Sequence, residues 1–443
     1  MALHHFGTDG VRGKYGEGLT KEMAYRIGRY LGLSIDGRAP KIVLSRDTRE
    51  SGVALKDALI EGIVTSGGEV YDEGVCTTPS ISYLTLKHRF DFGVMISASH
   101  NPYYDNGIKV FNSVGEKLEE EVEERIESYM DQEMDDLPRN EGKCFDGEFL
   151  REEYLNWLLS KVDPRVKGLK VLVDCANGSA STVAPEFFQK AGVQATIMFA
   201  NPDGKNINRD CGSTHLETVE RTLKEGDYDF GFAFDGDADR FLAFRKDGLF
   251  LDGDRLIYLN ALARHKKGAL KGNRVVITVM SNYGLRKALE QANIGMEIVA
   301  VGDKNVQACL KEKDLEVGGE QSGHVIFLNE LNTGDGFLSC INLMNIAVED
   351  PETLARAQEA KSYPQKLVNL RFESRAKMDA ILNDPEIKNL IATVHASLGD
   401  TGRVLVRCSG TEPLIRVMAE ALDELRCIEA VDTIVKAINE KAN

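Results

Sequence analysis

The chain has 443 residues, too many for one ordinary hydrophobic core, so several domains are expected. Its 54 basic and 70 acidic residues leave a formal charge of −16, which repels nucleic acid and anionic membranes at long range. Eight cysteines stand far apart with no CxxC pair, which suits neither a zinc site nor a disulfide framework and leads us to expect reduced thiols in a cytoplasmic protein.

No apolar stretch approaches the length of a bilayer-crossing helix. If the substrate is an anion, so acidic a chain must gather Arg, Lys and backbone N–H groups locally to hold it. In chain order, Phe6-Gly7-Thr8-Asp9-Gly10-Val11-Arg12-Gly13 comes first. It is either a loop that presents Arg12 to an anion or a glycine-rich entry into the first strand. Lys41–Ser45 reads as a strand, followed by a helix from Ala54 to Thr65 that stops at Gly67-Gly68. Phe92–Ile96 is an apolar strand ending in Ser97-Ala98-Ser99-His100-Asn101-Pro102, where Asn-Pro forces a turn. Strand ends carry reactive groups in α/β proteins, and the small neighbours of Ser99 are expected to leave its hydroxyl uncovered. Alone, this segment would read as an ordinary Ser/Asn turn; Lys109, close in sequence, can return an ammonium to it. The acidic run from Glu116 to Asp136 reads as a solvated helical face.

A second strand–helix–strand pattern runs from Leu169–Val173 through Pro185–Lys190 and Gly192 to Ala195–Phe199. The apolar strand Phe230–Phe234 then delivers Asp235-Gly236-Asp237-Ala238-Asp239-Arg240. Alternating carboxylates separated by small residues converge on a hard cation. An EF-hand would need Gly and Glu where Arg240 and Lys246 stand. Three carboxylates leave positions open, which suits Mg²⁺ bound partly through a phosphate oxygen. A third pattern has a strand at Arg274–Val279, a helix at Leu285–Gln291, a stop at Gly295 and a strand at Ile298–Val301. It leads to Gly318-Gly319-Glu320-Gln321-Ser322-Gly323-His324, whose donors and acceptors suit sugar hydroxyls, although His324 alone would pass for a core histidine. Strands at Val404–Arg407 and Leu414–Glu420 flank Ser409-Gly410-Thr411-Glu412-Pro413, and a helix spans Leu425–Glu440. Arg407 and Arg416 with the hydroxyls of Ser409 and Thr411 and the backbone around Gly410 form the expected anion cradle. The expected fold is α/β: three related α/β domains with mixed sheets (1–150, 151–252 and 253–364) and a C-terminal α+β domain (365–443).

Together FGTDGVRG, SASHNP, DGDADR, GGEQSGH and SGTEPLIR resemble the α-D-phosphohexomutase family, in order and over essentially the whole chain. The stretch Asn206-Ile207-Asn208 through Cys211-Gly212-Ser213-Thr214-His215 belongs to the same resemblance, while Cys408 departs from the Pro or Lys usual in relatives. The resemblance implies four domains around one central cleft and a phosphate carried on Ser99. It further implies one Mg²⁺ per chain held by phospho-Ser99, Asp235, Asp237 and Asp239, with a hexose 1,6-bisphosphate as activator. The reaction implied is an isomerisation that moves phosphate between O6 and O1 of a hexose through that bisphosphate. Arg12, Arg240, Glu320, Ser322, Arg407, Ser409, Gly410, Thr411 and Arg416 are the implied substrate contacts. His100, Lys109 and His324 are the implied proton-handling groups, Lys109 only if its pKa is depressed. Gln321 and its loop resemble the branch that takes an amino sugar and feeds UDP-N-acetylglucosamine synthesis. The other branches take glucose or mannose phosphates, and a metal-dependent sugar phosphatase would use the same serine but release phosphate to water. A phosphosugar is thus the expected partner, with no nucleic acid and no membrane; a homodimer is left open.

Overall fold

Four β-sheets organise residues 5–7, 9–132, 140–409 and 413–442, which the computed structural model describes. The chain divides into two compact units, Met1–Met280 with Ile294–Ala357, and Ser281–Asn293 with Gln358–Asn443.

The first sheet has seven strands in the order Phe6–Gly7, Gly10–Lys14, Asp105–Phe111, Phe92–Ile96, Lys41–Arg46, Glu69–Val75 and Lys143–Asp146. Lys41–Arg46 is apolar on both faces because it runs parallel between two strands and is buried from Ile42 to Ser45. Helices Lys21–Leu33 and Glu50–Thr65 cross backbone to backbone. A Cβ at Gly28 would lie 2.2 Å from the Leu59 carbonyl oxygen, and one at Gly62 would lie 2.1 Å from that of Tyr25. Strand Gly10–Lys14 pairs antiparallel with Asp105–Phe111 and sets Arg12 opposite Gly107. Gly10 has φ +80°, and a Cβ there would lie 2.3 Å from the Ile108 carbonyl oxygen, so this edge closes only on glycine.

The second sheet orders Phe250–Leu251, Phe241–Arg245, Phe230–Phe234, Lys170–Asp174 and Gln194–Met198; the third orders Gly295–Val299, Arg274–Thr278, Val317–Gly319 and Val325–Phe327. Both mix parallel and antiparallel pairs, as the first does. In the second unit Gln365–Arg371, Leu414–Ala421 and Gly402–Cys408 form an antiparallel sheet. Helix Glu424–Ala442 buries Val431, Ile434 and Ile438 in the core of that unit. The fold is therefore the expected one, three α/β segments with mixed sheets and an α+β tail. No helix among the described residues is long and apolar enough to cross a membrane.

Two local expectations change. Gly295 does not stop the third-repeat helix: Asn293 turns the chain at φ +56°, and Gly295 pairs with Arg274 as the first residue of its strand. That helix, Tyr283–Gln291, belongs to the second unit, where the Tyr283 N–H donates to Glu420 Oε2 at 3.0 Å. The acidic run forms helix Glu120–Met130 but is not simply solvated, because Ile126 and Met130 are buried and draw two glutamates in with them. Glu127 accepts the His5 and Phe6 backbone N–H groups at 2.5 and 2.6 Å, and Glu123 takes Lys304 at 2.6 Å. Residues 133–136 of that run lie outside the described residues.

Candidate active site

Ser99 follows the buried strand Phe92–Ile96 and holds φ +52°, a left-handed conformation uncommon for a serine. Its hydroxyl is not uncovered as expected: the residue is 1% exposed, and Oγ donates to Asp235 Oδ2 at 2.5 Å. The loop after Phe230–Phe234 covers it so closely that a Cβ at Gly236 would lie 2.5 Å from the Ser99 carbonyl oxygen. That carbonyl accepts from Arg49 Nη2 at 3.1 Å and from Asn208 Nδ2 at 2.8 Å. Arg49 is fully buried and paired with Asp47, whose Oδ2 also accepts from Ser97 Oγ at 2.6 Å.

Asp235, Asp237 and Asp239 are all buried, with one oxygen of each within 4.8 Å of the others. Burial first, then the charges of Asp239 and Asp237, push the Asp235 carboxyl well above the usual range. Asp237 Oδ1 and Asp239 Oδ1 are buried without a hydrogen-bond partner. Three hard oxygen donors with two buried lone oxygens fit a divalent cation of the Mg²⁺ kind. Asp237 also accepts from Thr78 Oγ1 at 2.5 Å.

Lys109 is 1% exposed and lies 2.8 Å from Asp237, 3.3 Å from Asp239 and 3.2 Å from Asp9. Burial opposes its charge, but the three carboxylates outweigh burial and raise its pKa well above the ordinary lysine value. A base role needed the opposite shift, so Lys109 stands here as a cation. Asp9 also pairs with Arg12 and Lys117, and Lys117 reaches on to Asp303.

Asp9, Arg12, His100, Lys117, Arg240 and Glu320 are among the residues that line a cavity of about 250 Å³, which His324 and Asp303 also face. His100 Nδ1 lies 3.4 Å from Ser99 Oγ. Burial, then Arg240 and Arg12, lower the His100 pKa to about 4, so its ring is neutral at physiological pH. His324 lies 3.7 Å from Asp239 and 3.8 Å from Asp303. Burial lowers its pKa, but Asp239 and then Asp303 and Glu320 raise it above the ordinary value, against the Gly334 N–H donated to Nε2. Glu320 accepts the Gly302 N–H at 3.0 Å, Gln321 donates to Asp252 at 3.2 Å, and Ser322 is exposed.

In the second unit Arg407 and Arg416 are paired residues on adjacent strands. Burial, then the Arg416 charge, lower the Arg407 pKa. Ser409 is buried, and its carbonyl accepts from Arg375 at 2.9 Å. Gly410 and Thr411 lie outside the described residues.

Sequence reasoning did not find Asp47, Arg49, Thr78, Lys117 or Asp303. The available signal was charge inside apolar surroundings, as at Asp47-Thr48-Arg49 directly after a buried strand.

A serine on a metal-ready carboxylate, beside a cavity lined by both arginines and carboxylates, fits the phosphoryl-transfer class of enzyme. Models of the phosphoglucomutase/phosphomannomutase α/β/α domains I, II and III match residues 3–136, 152–248 and 252–363, and that of the C-terminal domain matches 367–437. The chain belongs to the phosphoglucomutase/phosphomannomutase family. It is 44% identical to a phosphoglucosamine mutase of Lachnoclostridium phytofermentans, over 99% of both chains. A phosphoglucomutase/phosphomannomutase family protein from Burkholderia thailandensis shares the fold with a TM-score of 0.82 at 23% identity, over 99% of this chain and 98% of that one. The N-acetylphosphoglucosamine mutase of Aspergillus fumigatus, solved with GlcNAc-6P and magnesium, has a TM-score of 0.71 at 19% identity, covering 100% and 96%.

Proposed function

We propose that this enzyme interconverts glucosamine 6-phosphate and glucosamine 1-phosphate through a phosphoryl group carried on Ser99 and a 1,6-bisphosphate intermediate. The observation that carries the reading is Ser99 Oγ, held 2.5 Å from Asp235 in the buried three-carboxylate cluster. The choice of an amino sugar rests on the 44% identity to a phosphoglucosamine mutase. Asp235, Asp237 and Asp239 would hold Mg²⁺ together with an oxygen of phospho-Ser99. Bound there, the ion neutralises charge on the transferring phosphoryl group.

Transfer breaks the bond from phosphorus to Ser99 Oγ and forms one to sugar O1. The O1 proton passes to His100, which stands beside Oγ, with His324 further round the cavity wall. Lys109, held in place by its three carboxylates, places a fixed positive charge where the phosphoryl oxygens gather it. Arg12 and Arg240 meet the sugar phosphate on the cavity wall, and Glu320 and Ser322 read the sugar hydroxyls. Ser409, Gly410, Thr411, Arg407 and Arg416 hold the phosphate distant from Ser99. The bisphosphate then turns, its P–O6 bond breaks as the 6-phosphoryl group returns to Ser99 Oγ, His100 gives its proton back to O6, and the sugar leaves as the 1-phosphate. Segments 1–150, 151–252, 253–364 and 365–443 carry the phosphoserine, metal, sugar and phosphate loops respectively.

Parallel conversion of glucosamine, glucose and mannose 6-phosphates, with Mg²⁺ and a trace of hexose 1,6-bisphosphate, tests this reading. The expected result is a preference for the amino sugar with no free phosphate. A preference for glucose or mannose would place the enzyme in another branch of the family, and stoichiometric phosphate release would make it a phosphatase.

A further inference from the structure

Asn208 sits in the Asn206–His215 stretch, which the reaction outlined above leaves without a role. It is 7% exposed and has φ +57°. Its Nδ2 donates to the Ser99 carbonyl at 2.8 Å and to the Asn101 carbonyl at 3.1 Å. Arg49 Nη2 reaches the same two oxygens at 3.1 and 2.6 Å, from the start of helix Glu50–Thr65. Two carbonyls on either side of His100 are thus each held by two donors, one at the start of helix Glu50–Thr65 and one in the turn after strand Gln194–Met198.

We infer that Asn208 is a positioning residue for phosphoryl transfer: with Arg49 it clamps the Ser99 and Asn101 carbonyls and so fixes where Ser99 Oγ points. The inference rests on the reading of Ser99 as phosphate carrier. Ser99 holds its left-handed backbone without the freedom of glycine, and such a conformation persists only where its surroundings over-determine it. Asn208 is itself held firmly enough to serve. Its N–H donates to the Ala176 carbonyl at 2.9 Å, and the buried Asp174 carboxylate ties down the flanking Ala176 and Gly212 N–H groups at 2.7 and 2.8 Å. Thr48, beside Arg49, donates to the Asn177 carbonyl at 2.6 Å and joins the two halves of the clamp. Because the phosphoryl group leaves and returns along the same Oγ–P axis, one clamp serves both half-reactions.

The test uses two variants of the full-length enzyme. Asn208→Gly removes the amide yet suits φ +57°, so the backbone is spared; Asn208→Asp keeps the shape but turns an acceptor toward two carbonyls. Both should lower kcat by about 10- to 100-fold, Asp more than Gly, with KM within about twofold. The melting temperature should stay near the parent's in Asn208→Gly and fall in Asn208→Asp, which buries a carboxylate against two carbonyls. Amide hydrogen exchange should quicken in residues 97–104 of both variants and nowhere else. Parental kcat in Asn208→Gly, or unchanged exchange in that segment, overturns the clamp. If the parent shows no transfer from Ser99, the functional reading fails, and the exchange measurement then decides the clamp alone.

Discussion

Around Ser99 three buried cations are matched by carboxylates: Lys109 by Asp237, Asp239 and Asp9, Lys117 by Asp9 and Asp303, Arg49 by Asp47. In the second unit two cations face each other instead, Arg407 and Arg416 standing opposite one another on adjacent strands. Like charges set across a strand pair disfavour the folded state, and a bound anion relieves them. The first cluster therefore holds its geometry through internal pairing, as chemistry at one fixed atom requires. The second sets two guanidinium groups side by side, an arrangement that suits a reversible phosphate grip. Substitutions in the first should act on kcat, and those in the second on KM.

The largest effect should come from Ser99→Ala, with turnover lower by at least about 10³-fold and an unchanged melting temperature. Substantial remaining activity would remove Ser99 from its role. Asp237→Asn should follow, with a loss of about 10²-fold in kcat and a raised Mg²⁺ requirement in a metal titration. An unaltered Mg²⁺ dependence would place the ion elsewhere. In the second unit, Arg407→Gln and Arg416→Ala should each raise KM for the phosphosugar about 10- to 100-fold while changing kcat little. Because Arg407→Gln also removes a like charge, its melting temperature should equal or exceed the parent's; a fall would contradict the contrast drawn here.

The effect with the least bearing on turnover concerns stability and pH. Burial raises the Glu73 carboxyl from 4.5 to about 7 and the Asp335 carboxyl from 3.8 to about 7. A raised folded-state pKa contributes stability that is complete below the unfolded value and is lost as pH rises through the folded one. For Glu73, moved from 4.5 to about 7, the linkage amounts to ~3 kcal/mol. Melting temperature should accordingly decline between about pH 5 and pH 8, and Glu73→Gln or Asp335→Asn should flatten that decline. A parallel pH profile in both variants would argue against these groups.

The serine, the aspartate triad and the arginine hairpin were legible in the sequence because each occupies a few consecutive residues. Period and turn chemistry likewise disclosed the strands Lys41–Arg46 and Phe230–Phe234 and the helix Glu424–Ala442. The partners of those motifs were not legible, because folding alone brings them together: Asp9, Lys117 and Asp303 meet across 108 and 186 residues of chain. The burial of Ser99 also escaped notice, since the loop that covers it lies 136 residues away. The acidic helix misled for a related reason. Its composition says solvent, while Glu127 faces the backbone N–H groups of His5 and Phe6, which no local pattern reveals.

The central claim is that Ser99 carries the phosphoryl group, and a single-turnover chase tests it most directly. Enzyme charged from hexose bisphosphate labelled in its phosphate is peptide-mapped before and after mixing with glucosamine 6-phosphate. The label should reside on the peptide that contains Ser99 and then pass, equivalent for equivalent, to the sugar bisphosphate. Label on another residue, or its appearance as inorganic phosphate, would contradict the account.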